Sequence, residues 1–111
     1  MKPITTKLAG VTYGDAQANI KEYGGPGIGH YELIREPDNP HDPNAIRVAL
    51  FGQIFMGYLP AKVSATIAPL MDQGRCLVAE FVRLNIAAGK RIVGMTVRIE
   101  ERNPLKAQQV G

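Results

Sequence analysis

Hydrophobic and polar positions alternate most clearly in two places along the chain. Across residues 30–36, Tyr31, Leu33 and Arg35 fall on one side and Glu32 and Ile34 on the other. Ten residues further on, Ile46, Val48 and Leu50 share a face from which Arg47 points away. A period of two is the signature of a strand with one buried face, so both runs are predicted strands. Gly52, within residues 51–53, predicts a hairpin turn, after which residues 54–59 return as a partner strand. Near the end of the chain Val93, Met95, Val97 and Ile99 alternate with Thr96, Arg98 and Glu100, predicting a strand over 91–100. Residues 75–84 supply its partner, and 85–90 the hairpin loop between them. A first strand is placed at 6–13.

Two segments follow the helical period instead. Residues 14–25 contain Asp15 as a natural N-cap, short helix formers, and Gly24 as a stop. In residues 60–74, Pro60 suits the first helical position, Val63, Ile67, Leu70 and Met71 line one face, and Gly74 ends the helix. Pro69 lies inside this span, and its ring opposes the carbonyl four residues back, which predicts a kink or an irregular last turn. The sequence "GPGIG" at 25–29 fits neither GxGxxG nor GxxxxGK[ST] and reads as a flexible connection. Hairpins outnumber βαβ crossovers, so the pattern predicts a mainly β protein with two short helices: a small, partly closed β-barrel of five to six strands.

Length and composition narrow this further. The chain has 111 residues, enough for one domain and one core, assigned to 1–103 with a loose tail at 104–111. At 45% hydrophobic and 21% charged it has the make-up of a globular protein, and no run nears the roughly 20 apolar residues of a membrane span. "MKPITTKLAG" lacks the apolar core of a secretory signal, which with the lone Cys76 predicts a cytoplasmic protein with a buried thiol. A net charge of +3 and a pI near 9.2 are compatible with a nucleic-acid partner without requiring one.

The chemistry concentrates in "REPDNPHDPNAIRV", residues 35–48, where three prolines, three carboxylates, two asparagines and a histidine precede an apolar strand. One reading is a rigid turn: Asp38 and Asn39 bond to nearby backbone, Pro40 and Pro43 keep their neighbours extended, and Asp42 caps the amides of Asn44 and Ala45. A catalytic reading finds no HExxH, HxH or Cys/His pair, and Ser64 has no base suggested nearby. A binding reading uses a carboxylate on a rigid turn to accept hydrogen bonds from hydroxyls while repelling phosphates. Tyr13 and His41, with Phe55 and Tyr58 on the strand after the hairpin, are its candidate base-stacking platforms.

This stretch, followed by a hairpin, "MGYLP" and a helix ending "APLMDQG", closely resembles the HIRAN domain family, from about Gly10 to at least Gly74. That family occurs as the N-terminal module of helicase-like DNA translocases at stalled forks and as small stand-alone bacterial and phage proteins. The resemblance implies an OB-like barrel that grips the 3′ end of single-stranded DNA. By motif position, Asp42 falls where a carboxylate meets the terminal 3′-hydroxyl, and Tyr13 where an aromatic stacks on the terminal base. His41 takes the place of a tyrosine that follows Asn39 and Pro40 in the motif. Tyr58 falls where a polar ring reaches towards the DNA backbone. The sequence departs from the pattern at Thr12, where DNA-end-binding members carry a phosphate-contacting basic residue, and at Gly14, a position open to a second aromatic. Basic residues after "GYLP" are reduced to Lys62.

The resulting expectation is a non-catalytic module that binds single-stranded DNA and its 3′-hydroxyl end in repair or fork processing. Its site residues are Tyr13, Asn39, His41, Asp42, Tyr58 and Lys62. It uses no cofactor or metal and has no membrane partner; a helicase or nuclease acts on the DNA in trans. The alternatives are a protein-interaction adaptor built on the same barrel, and a metal-dependent nuclease accessory domain using Asp38, His41 and Asp42.

Overall fold

The computed structural model describes residues 1–102. In chain order the elements are β1 (Ile4–Lys7), α1 (Ala16–Tyr23), β2 (Tyr31–Arg35), β3 (Ile46–Leu50), β4 (Ile54–Tyr58), α2 (Ala61–Asp72), β5 (Cys76–Ile86) and β6 (Val93–Arg102). All six strands join one sheet in the order β1-β6-β5-β2-β3-β4, with every neighbouring pair antiparallel. The sheet curls until its two ends meet. Ala9, just past β1, forms an isolated antiparallel bridge to Tyr58 of β4, with Ala9 N–H on Tyr58 O at 2.8 Å and Tyr58 N–H on Ala9 O at 2.9 Å. The predicted half-closed barrel is therefore present, and one pair of hydrogen bonds forms its seam.

Its interior is filled by the alternating positions read from the sequence. Leu33, Ile46, Val48, Leu50, Met56, Met95, Val97 and Ile99 are buried, and α2 adds Ile67 and Ala68. Tyr31 is fully buried with its phenol satisfied: it donates to Tyr23 O at 2.9 Å and accepts from Gly25 N–H at 3.4 Å. Burial raises its pKa. α1 is tied across the barrel by polar side chains. Asn19 donates to Phe55 O, while Gln17 donates to Val11 O and Val93 O and accepts from Val93 N–H.

Several expectations shift. The first strand is four residues rather than the predicted 6–13, because the chain pairs with β6 up to Lys7 and must then cross to β4 at Ala9. Tyr13 consequently sits on a turn, its amide on Gly10 O at 3.0 Å. Asp15 occupies the N-cap of α1 without a side-chain cap bond. Pro60 is the N-cap of α2 rather than its first helical residue. The helix continues through Pro69 to Asp72, and its end tightens, with Gln73 N–H shared between Pro69 O and Leu70 O. β5 runs two residues beyond its expected end, with Asn85 and Ile86 paired to Gly94 and Val93, and β6 is displaced by two, starting at Val93 and continuing through Glu101 and Arg102, which pair with Leu77 and Cys76. Cys76 is exposed, not buried: it opens β5 opposite Arg102, at the rim, and burial begins only at Leu77. The tail expected at 104–111 lies outside the described residues. Among those described, no helix is long and apolar enough to cross a membrane.

The ends of the chain segment from Arg75 to Arg102 are clasped by Glu101, which accepts from Arg75 Nε at 2.7 Å and from the amino group of Met1 at 3.0 Å. The Arg75 bond, then the amino group, hold the Glu101 carboxyl at about 2, down from 4.5. A lowered native pKa means the folded state resists the proton, so this contribution to stability is complete above 4.5 and is lost as pH falls towards about 2. Thermal melts taken across that window should show a flatter acid limb for Glu101→Gln than for wild type; parallel limbs would contradict the assignment.

Candidate nucleic-acid interface

Where β2 ends, the chain makes the proline-rich excursion at 36–45 and returns in β3. Glu36 N–H bonds to Ala45 O at 2.9 Å and closes its neck. Inside, Asn39 organises the turn: its Oδ1 accepts from the amides of His41 at 2.9 Å and Asp42 at 3.3 Å. Asp42 Oδ1 accepts from Asn44 N–H at 2.8 Å, while Ala45 N–H bonds to the Asp42 main-chain carbonyl at 3.0 Å. The capping role read from the sequence thus holds for Asn44 through the side chain and for Ala45 through the backbone. Arg35 braces the excursion from behind, donating to Pro43 O and Ala45 O and gripping Asp72 of α2 with Nε and a terminal nitrogen. That ion pair lowers the Asp72 pKa.

A three-residue network joins this turn to the barrel wall. Tyr58 donates its phenol to Glu36 at 3.0 Å, and Asn39 Nδ2 donates to the same carboxylate oxygen at 3.0 Å. Burial and the Glu36 bond raise the Tyr58 pKa, so its ring stays a neutral donor. Arg47 approaches Glu36 at 3.8 Å, and its Nε is buried without a hydrogen-bond partner among the described residues.

From Tyr58 a row of rings leads outward. Phe55 meets Tyr58 edge-on with centroids 5.2 Å apart, and Tyr13 meets Phe55 at 6.2 Å. Phe55 and Tyr58 are three residues apart, and in a regular strand they would face opposite sides. A β-bulge solves this: Val48 pairs with Gly57 and Ala49 with Phe55, leaving Met56 as the extra residue, its side chain driven into the core. Gly57 makes the bulge possible with φ +148°, and a Cβ there would lie 2.9 Å from Ala9 O at the barrel seam. Tyr13 ends the row and is 68% exposed.

These parts surround one open cleft of about 810 Å³. Of the residues singled out from sequence, Tyr13, Asn39, His41, Asp42 and Tyr58 line it; Lys62 does not, although its neighbour Ala61 does. Glu36 and Arg35 also line it and were not anticipated. No local signal marks Glu36, since its partner Tyr58 lies 22 positions away. The cleft is acidic in character: Glu36, Asp38 and Asp42 face it, while its one cation, Arg35, is held by Asp72. Such a cavity accepts hydroxyl and amine donors and disfavours phosphate. Among the described residues no group of three His, Cys, Asp or Glu side chains converges to hold a metal, so the nuclease alternative on Asp38, His41 and Asp42 gains no support from the geometry.

Comparison with known proteins gives a consistent picture. The HIRAN domain profile matches residues 3–102. A crystal structure of a protein from Lactobacillus plantarum is similar with a TM-score of 0.62 at 26% identity, covering 89% of this chain and 97% of that one. The HIRAN domain of human HLTF is similar with a TM-score of 0.65 at 18% identity, covering 97% of this chain and 82% of its own; that likeness is one of fold. A Fanconi-associated nuclease 1 homolog from Oryza sativa subsp. japonica is 41% identical over 44 residues, 37% of this chain but only 5% of the relative.

Proposed function

The chain belongs to the HIRAN domain family, and from that premise we propose that it is a non-catalytic module that binds single-stranded DNA by a free 3′-hydroxyl end. The observation that carries this reading is the state of Asp42. One of its oxygens is committed to Asn44 N–H, the described residues place no donor on the other, and Asp42 lines a cleft bordered by the aromatic row. A terminal hydroxyl is a donor that fits this acceptor, whereas a terminal phosphate brings negative charge to Glu36, Asp38 and Asp42 together. Tyr13 offers a π-face to an unpaired base, which a base inside a duplex could not use. The nuclease named among the relatives is consistent with a service to DNA-processing enzymes, with cleavage left to another protein or domain.

Fluorescence anisotropy with matched oligonucleotides tests it. The hydroxyl-ended strand should bind more tightly than its 3′-phosphorylated twin, and equal affinity would remove end recognition. Tyr13→Ala should weaken binding by about 1–3 kcal/mol, the usual worth of one base–aromatic stack. Because the ring is mostly exposed, the melting temperature should hardly move. Full affinity in that variant would take Tyr13 out of the interface.

A further inference from the structure

An acidic cleft leaves the phosphates of a bound strand without counter-charges, and Thr12 gives none beside Tyr13. The structure places them elsewhere. β2 pairs with β5 only at Tyr31–Ala79 and Glu32–Val78, and β1 leaves β6 at Lys7–Thr96. Beyond these points β5 and β6 continue as a two-stranded arm, paired through Asn85–Gly94 and Ile86–Val93 and turning at 87–92. A bulge between Phe81 and Arg83 marks its start. Residues 81–99 contain Arg83, Lys90, Arg91 and Arg98 and no carboxylate. Arg98 is taken by Glu80 and Glu100, but Arg83, Lys90 and Arg91 are exposed and make no ion pair among the described residues.

Register extends this charge across the sheet. Thr96 pairs with Lys7 on one side and Arg83 on the other, so two cations flank it on the face opposite the buried Met95 and Val97. Ile86 and Ile92, 70% and 53% exposed, add apolar surface towards the tip. The arm is also fixed relative to the cleft. Gln17 bonds to Val93, where β6 leaves the turn at the far end of the arm, and to Val11, two residues before Tyr13.

We propose that the β5–β6 arm, through Arg83, Lys90 and Arg91 with Lys7 beside them, binds the phosphate backbone of the DNA strand whose end occupies the cleft. This rests on the reading of the cleft as an end-binding site and supplies the electrostatic part that the cleft lacks. Division of labour follows from charge: carboxylates select the terminal hydroxyl, and cations some residues away hold the phosphates that follow.

The test uses the whole chain and Arg83→Gln/Lys90→Gln/Arg91→Gln combined, with hydroxyl-ended single strands from about 4 to about 16 nucleotides, the range of site sizes on such barrels. Wild type should gain affinity with length, and the triple variant should bind the long strand no better than the short one. Its log Kd against log salt should be shallower by about 2, from roughly 0.7 per lost phosphate contact. Preference for hydroxyl over phosphate ends should survive in the variant, which separates this proposal from the cleft reading. An unchanged slope and length dependence overturn the arm alone; no binding of any strand by wild type overturns both. Retention of wild type on phosphatidylserine vesicles through these residues, with the DNA slope unaltered, would assign the arm to a membrane surface and overturn the proposal. Matching thermal melts show that the exposed substitutions leave the barrel folded.

Discussion

Asp42→Asn should erase most of the preference for a 3′-hydroxyl end while leaving the turn in place. The asparagine keeps an oxygen for Asn44 N–H, so the bond that shapes the entry to β3 is retained. What disappears is charge. A hydrogen bond to an ionised acceptor contributes about 1.5–3 kcal/mol, so the hydroxyl-ended strand should lose about 10- to 150-fold in affinity. The phosphate-ended strand should gain instead, since one of three repelling carboxylates is gone, with Glu36 and Asp38 keeping the gain partial. Paired titrations at one salt concentration measure the ratio. A ratio equal to that of wild type would mean that Asp42 is only a turn residue.

Gly57→Ala is expected to damage the fold through two effects of one added methyl group. At φ +148° an L side chain is strained, at a cost of about 1–3 kcal/mol. The new carbon would also press against Ala9 O at 2.9 Å, on the carbonyl that accepts from Tyr58 N–H at the seam. Both effects act where the barrel closes. For a domain of this size each kcal/mol lowers the melting temperature by about 4–8 °C. Because the bulge at Met56–Gly57 brings Phe55 and Tyr58 to one side, affinity for a strand end should fall along with stability. A variant melting with wild type would show that the bulge does not depend on glycine.

The contrast between these two residues shows what the sequence disclosed. Asp42 was conspicuous because proline, asparagine and aspartate crowd a short segment, and local turn chemistry is written locally. The strands were equally legible wherever burial on one face enforces alternation, as at Ile46–Leu50 and Met95–Ile99. Gly57 was read only as part of a strand, because a bulge is set by how two strands meet, and regular alternation would have separated Phe55 from Tyr58. Glu36 escaped for the same reason: its value comes from a tyrosine two strands away. The misplacement of Cys76 has another origin. Its apolar neighbours signalled burial, but the first residue of a strand can sit at the rim. Tyr13 was recognised by its motif position, although the strand predicted around it gives way to a turn.

The seam between Ala9 and Tyr58 also bears on the order in which the molecule is built. Every residue of the cleft lies within the first 61 positions, yet β1, which delivers Ala9 to Tyr58 and Tyr13 to Phe55, is paired only to β6. The strand that seats β1 is thus the last of the described strands to be synthesised. A nascent chain ending before Val93 would carry every residue that lines the cleft but lack the strand on which β1 pairs.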